Sequence, residues 1–140
     1  MYESLTVLIP DLEKGEYGKW TEQEGDGTPE NPYTLCYIEY SDPINDLIRA
    51  VREFEKNHHE EDYNLPDIMD EIHRRCPDSK DLYEIDLSRL DGFLIVGMIL
   101  FVISMCRFDD GAFLNFCESG AVLRCLKRLK EIDEAEDKTL

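Results

Sequence analysis

The most structured group of chemically capable residues is the run Arg107-Phe108-Asp109-Asp110-Gly111, which directly follows a long uncharged segment. An arginine at the end of an uncharged helix meets the negative end of the helix dipole and can pair with either aspartate. A glycine permits the sharp turn that follows. Two interpretations stay open: a helix–helix corner locked by an ion pair, and the ligand-binding corner of a small enzyme or ligand-binding domain.

The histidines and cysteines form no familiar catalytic or metal-binding motif. His73 and Cys76 have an H-x-x-C spacing, to which His58 or His59 could add a ligand. Structural zinc sites, however, usually carry paired cysteines with C-x₂₋₄-C spacing, and no two cysteines here are that close. Cys117 has acidic neighbours, which disfavour a reactive thiolate and indicate a packed apolar residue. The sequence therefore predicts no metal, no cofactor and no catalytic residue.

Aromatic residues gather in two segments that are typical of β-strands, residues 17–21 and 33–40. The acidic stretch between them, residues 22–32, is rich in glycine and proline and predicts a mobile hairpin loop. Trp20 and Tyr37 belong to residue types that anchor protein interfaces. A two-stranded hairpin is only marginally stable alone, so we expect one face to pack on helices.

The composition indicates the class of partner. The 140 residues carry 32 Asp and Glu against 15 Lys and Arg, which gives a formal net charge of −17. DNA, RNA and anionic membranes attract basic surfaces, so direct binding to any of them is not expected. A protein with a basic surface is the predicted partner. The candidate binding residues are Trp20, Glu22, Glu24, Asp26, Glu30, Tyr37, Arg107, Asp109 and Asp110.

One basic stripe stands out near the C-terminus. Residues 124–130 contain Arg124, Lys127, Arg128 and Lys130 and no acid. This stripe could pair with acids of the same molecule, contact a second partner, or form a homodimer with a second copy.

The elements that position these residues are mostly helical. Residues 93–106, FLIVGMILFVISMC, carry no charge. A bilayer span needs about 20 such residues, so this run predicts a buried central helix over residues 89–106, begun by a capping box from Ser88 to Asp91. Asp42 and Pro43 predict an N-cap and the first residue of another helix.

Four further helices follow from apolar spacing of i, i+3, i+4 and i+7. They are predicted over residues 5–12 with a stop or kink before Pro10, over 65–76 before Pro77, over 112–119, and over 121–133 with a frayed tail at 134–140. We expect a single domain of the α+β class, mainly α. It would have about five helices around the central apolar helix, with a small antiparallel β-hairpin.

The cysteines and the N-terminus indicate a compartment. Five cysteines are an odd number without regular spacing, and residues 1–4 lack the features of a secretory signal. A reducing cytoplasm is expected.

The stretch RFDDGAFLNFCESGAVLRCLKRLKEID resembles the ending of a bacterial family of unknown function, DUF6508. The resemblance extends back through the central helix, the helix over residues 42–54 and the GKW strand. The matching motif positions are Arg107, Phe108, Asp110, Gly111, Gly120, Leu126, Leu129 and Asp133. The family often has Arg-Ala-Glu-Arg-Phe where this chain has Ser-Met-Cys-Arg-Phe, so the first Arg and the Glu are missing. The resemblance implies a fold and a bacterial or mobile-element setting, without an activity.

The sequence thus favours a non-enzymatic interaction protein that acts through its acidic surface and aromatic hairpin. A sharper hypothesis is an inhibitor that mimics nucleic acid, as some phage and mobile-element proteins do. Acidic charge that only keeps the protein soluble is an equally good interpretation. The alternative class is a small enzyme or ligand-binding domain with its site at the corner formed by residues 107–111.

Overall fold

A computed structural model describes residues 1–21, 25, 27–31, 37–58, 63–79, 81–106 and 111–139, with side chains except at 37 and 137–139. The helices are α1 (Glu3–Thr6), α2 (Ile9–Leu12), α3 (Asp42–Asn57), α4 (Leu65–Arg75), α5 (Gly92–Met105), α6 (Ala112–Glu118) and α7 (Ala121–Thr139). The strands are β1 (Gly18–Thr21) and β2 (Tyr37–Tyr40), and short 3₁₀ turns span Leu82–Glu84 and Leu87–Arg89. The predicted class, mainly helical α+β with an antiparallel hairpin, is confirmed.

Helix α5 is the centre of the core, as its lack of charge predicted. Residues are buried on every side of this helix, including Leu94, Val96 and Ile99. A helix that is apolar all round has to be covered by neighbours, and α3, α4, α6 and α7 supply them. Among the described residues, no helix combines the length and the apolar character that crossing a membrane would need.

The surrounding helices each bury one apolar stripe against α5. The fully or almost fully buried members of these stripes are Ile44, Leu47, Val51, Ile68, Ile72, Phe113, Phe116, Val122, Leu126 and Leu129. Burying one such side chain stabilises the fold by about 1.5–3 kcal/mol. The closest approach is at Gly97, where an added Cβ would lie 2.7 Å from Ile68 Cδ1. The missing side chain of Gly97 therefore sets how closely α4 packs on α5.

The N-terminal helix is broken earlier than predicted. It forms two short helices with the break at Val7 and Leu8, and Pro10 lies in the first turn of α2. The first turn of a helix has no partner for its N–H groups, so proline is tolerated there. Pro10 therefore helps to begin the second helix, whereas the sequence suggested that it would stop the first.

Two predicted helix starts are displaced. The N-cap of α3 is Ser41, and Asp42 is already helical. The capping box expected at Ser88 is absent because Ser88 lies in a 3₁₀ turn, where Asp86 accepts its N–H at 3.1 Å. Helix α5 begins instead after Asp91, whose carboxylate accepts the Leu94 N–H at 2.9 Å.

The last helix is longer than predicted, and β1 begins one residue later than predicted, whereas residues 33–36 of the second predicted strand lie outside the described residues. Helix α7 continues to Thr139, whereas a frayed tail was expected from Glu134. Residues 134–138 are mostly Glu, Ala and Lys, which are good helix formers. The strands pair Gly18 with Tyr40 and Trp20 with Ile38.

Candidate interaction surface

The base of the hairpin packs against the helices. A Cβ added at Gly18 would lie 3.3 Å from Leu114 Cδ1, so α6 packs directly against the strand. On the paired strand, the Tyr40 ring meets Phe113 of α6 edge-on, with ring centroids 5.9 Å apart. The Ser41 N–H also donates to the Tyr17 carbonyl at 2.8 Å. One hairpin face thus packs on the helices near Tyr40, as the sequence predicted.

Trp20 lies further along that same face, beyond the packed base. Opposed residues of an antiparallel pair share a face, and so do residues two apart, so Trp20 and Ile38 follow Gly18 and Tyr40. Trp20 nevertheless remains 53% exposed. A large exposed aromatic side chain on a short anchored hairpin is typical of an interface residue.

An acidic concavity opens at the base of the hairpin. It has a volume of about 690 Å³, and its lining includes Glu16, Glu39, Asp42 and Glu118. Among the lining residues in the described part of the chain, Lys19 is the single base, and its Nζ lies 3.9 Å from Glu39. The carboxylates come from the segment before β1, from β2, and from the facing ends of α3 and α6. The fold therefore gathers negative charge from four separate parts of the chain.

Sequence reasoning missed all four of these carboxylates. The chain has 32 acids, so nothing in the local sequence distinguishes these four from the others. They line one concavity only because the hairpin packs on α6 beside the start of α3.

The predicted binding residues are only partly within the described structure. Trp20 and Glu30 are exposed, and the backbone of Tyr37 lies in β2 opposite Thr21. Glu22, Glu24, Asp26, Arg107, Asp109 and Asp110 lie outside the described residues. The structure therefore brings Trp20 and Tyr37 onto one hairpin and leaves the acidic loop and the Arg107 corner as predictions.

At the corner, Gly111 is the first residue that the structure describes after Cys106. It is buried and serves as the N-cap residue of α6, where its carbonyl accepts the Asn115 N–H at 2.9 Å. Its φ is −87°, so the αR backbone at this point does not require glycine.

The candidate metal-binding residues that the structure describes do not form a metal site. His73 is exposed, whereas Cys76 is buried and its thiol lies 3.9 Å from the Asp86 carbonyl. His58, the residue after α3, stacks on Phe54 with ring centroids 4.0 Å apart, and His59 lies outside the described residues. Within the described ranges, no three His, Cys, Asp or Glu side chains cluster as metal ligands would.

Cys117 is completely buried, and burial together with the charge of Glu118 raises the pKa of its thiol to about 12. Such a thiol is protonated at neutral pH and is a poor nucleophile. This agrees with the prediction that Cys117 is a packed apolar residue.

The basic stripe of α7 is largely engaged within the molecule. Arg124 donates to the Tyr83 carbonyl, Lys127 Nζ lies 3.3 Å from Glu13, and Arg128 lies 3.0 Å from Glu131. In the part of the chain that the structure describes, Lys130 has no such partner. Three of the four bases are thus held by intramolecular contacts.

Asp133 is a buried acid whose role the sequence did not reveal. It is 9% exposed and accepts the Tyr2 N–H at 2.9 Å. The N-terminal ammonium of Met1 lies 3.1 Å from the same carboxylate. Tyr2 in turn stacks on Phe54 with ring centroids 5.4 Å apart, so the start of the chain is fastened to α3 and α7.

The model of the family of unknown function DUF6508 matches residues 2–135 of the chain. The chain belongs to this family. The match begins at Tyr2 and includes Asp133, so both partners of that hydrogen bond lie within the DUF6508 region. No curated protein and no solved structure matches the chain.

Proposed function

We propose that this DUF6508 protein is a non-enzymatic protein–protein interaction module of the bacterial cytoplasm that binds a basic protein surface. The observation that carries the proposal is the concavity at the hairpin base, whose lining includes four carboxylates and one lysine. The concavity would accept Lys or Arg side chains of the partner.

Two further features support this assignment. The net charge of −17 attracts a basic partner over distance, which accelerates encounter more than it strengthens the final complex. Trp20, exposed on the strand next to the concavity, offers an aromatic face to an apolar or cationic group of the partner. The acidic stretch at residues 22–32 adds further negative charge to the chain.

The sharper form of the proposal is an inhibitor from a phage or mobile element that mimics nucleic acid, in the manner of an anti-CRISPR protein. It rests on the charge alone: rows of carboxylates can occupy a basic groove that normally holds phosphates. In a pull-down from a bacterium that carries phage-defence systems, we expect a nucleic-acid-binding protein that low salt retains and high salt or duplex DNA releases. A captured partner that DNA does not displace would contradict mimicry.

The binding surface itself is tested with a defined probe, a fluorescein-labelled peptide of about ten lysines, at low ionic strength. The concavity variant carries Glu16→Gln, Glu39→Gln, Asp42→Asn and Glu118→Gln. A matched control removes the same charge from exposed positions outside the concavity, with Glu53→Gln, Asp70→Asn, Asp78→Asn and Glu134→Gln. The readout is fluorescence anisotropy.

We expect the concavity variant to bind the peptide at least about tenfold more weakly and the control less than about threefold more weakly. Equal losses would show that only net charge matters and would overturn the assignment. A third variant neutralises Glu22, Glu24, Asp26 and Glu30. If this variant alone lost binding, the acidic loop would be the determinant in place of the concavity.

A further inference from the structure

A second surface, at the N-terminal helices, carries exposed apolar residues that the core does not use. Val7 is 68% exposed, although its neighbours Leu8 and Ile9 pack into or against the core. A groove of about 500 Å³ runs beside Val7, and Pro10 and Lys130 also line it. In protein interfaces, anchor side chains of one subunit typically fill pockets on the other, and this groove offers such a pocket.

The rim of this groove carries both signs of charge. Glu3 and Glu13 belong to the N-terminal segment of the chain. Lys130 belongs to α7 and lies at the end of its basic stripe. Glu13 is already paired with Lys127. Lys130 is exposed and lacks an ionic partner in the described ranges. The carboxylate of Glu3 is also exposed, and its one ion pair among the described residues is with the terminal ammonium of Met1.

This arrangement fits a second copy of the chain better than a foreign partner. A two-fold interface uses the same surface on both subunits, so it must contain its own complement. This surface contains two complementary pairs. Val7 is the complement of the groove, and the cation of Lys130 is the complement of the anion of Glu3. A uniformly basic partner would meet Lys130, and a uniformly acidic partner would meet Glu3 and Glu13.

We propose that the protein forms a two-fold homodimer in which Val7 of each subunit enters the groove of the other and Lys130 pairs with Glu3 across the interface. The lining of this groove shares no residue with the acidic concavity, so the dimer leaves the concavity's own residues available to a basic partner. Repulsion between two subunits of charge −17 opposes association, so moderate salt strengthens the dimer by screening.

The test is sedimentation velocity on the full chain from about 1 to 300 µM, a range that spans typical weak-dimer constants. We expect the wild type to pass from monomer to dimer over this range. Val7→Asp should weaken dimerisation at least about tenfold, because it places a charge in the apolar centre. Ala135→Asp, a control that adds the same charge at an exposed apolar residue outside the groove, should leave the dissociation constant unchanged.

A charge-reversal pair separates self-association from other effects. Lys130→Glu and Glu3→Lys should each weaken the dimer, because each creates like-charged contacts at two symmetric places. An equimolar mixture of the two variants should dimerise again, since both contacts regain opposite charges in the heterodimer. Circular dichroism melting confirms that each variant is folded. A monomeric wild type, a Val7→Asp variant that dimerises normally, or a mixture that stays monomeric would overturn the proposal.

Discussion

Asp133 accepts the backbone N–H of Tyr2 at 2.9 Å and so joins two residues that are 131 positions apart in the chain. The carboxylate is nearly buried, and the hydrogen bond to it is charge-assisted, which makes it stronger than a bond between neutral groups. The contact holds the start of the chain against α7, where Tyr2 can stack on Phe54. The N-terminal segment thereby covers one side of the core.

Removing this acceptor should destabilise the fold. Asp133→Ala leaves the N–H of Tyr2 without its acceptor, which costs about 1–3 kcal/mol of the free energy of unfolding. Urea unfolding monitored by circular dichroism measures the difference. Glu134→Ala, at an exposed position on the same helix, should change it by less than about 0.5 kcal/mol. Equal stabilities of the two variants would mean that Asp133 does not hold the N-terminal segment.

The packing of Tyr2 on α5 predicts a non-additive pair of substitutions. A Cβ added at Gly92 would lie 2.0 Å from the Tyr2 hydroxyl oxygen, a distance that no contact allows. Gly92→Ala should therefore cost about 1–3 kcal/mol in the wild-type background, by urea unfolding. In a Tyr2→Leu background the clash is removed, and the same substitution should be neutral or slightly stabilising because alanine favours the helix. Equal costs in both backgrounds would contradict this packing.

The surroundings of Trp20 predict a quenching asymmetry. Trp20 is the one tryptophan of the chain and is exposed in a protein of net charge −17. Its fluorescence should be quenched by both caesium and iodide, and caesium should be the more efficient because the negative field concentrates cations. Stern–Volmer slopes relative to free N-acetyltryptophanamide measure the effect. Equal relative slopes at low ionic strength would show that the surface near Trp20 is not negative.

The buried thiol of Cys117 predicts a loss of stability in alkali. Its pKa is raised from 9.0 to about 12 in the fold, so between these values the unfolded chain releases a proton that the folded chain keeps. The unfolded state is favoured as the pH rises, by at most about 1.4 kcal/mol per pH unit for one thiol. Urea unfolding at pH 8 and pH 10 should show a steeper loss for the wild type than for Cys117→Ala. Equal losses would contradict a buried, protonated thiol.

Local sequence patterns sufficed for much of the fold. The uncharged run at residues 93–106 predicted a central helix because only a helix enclosed by others can be apolar on every side. The aromatic segments predicted the strands, and the glycine before Ala112 predicted the start of α6. Helix boundaries were less accurate. The sequence predicted caps at Asp42 and Ser88. The structure instead uses Ser41, Asp86 and Asp91, because tertiary packing decides which of several capable neighbours caps a helix.

Composition also determined the net charge of −17, and with it the expectation of a basic partner. What only the tertiary structure decided is which charges act together. Glu16 and Glu118 lie far apart in sequence yet line one concavity, and Asp133 meets Tyr2 across nearly the whole chain. The sequence could not reveal these pairs, because each depends on how helices and hairpin pack, whereas local patterns report only on neighbours within a few residues.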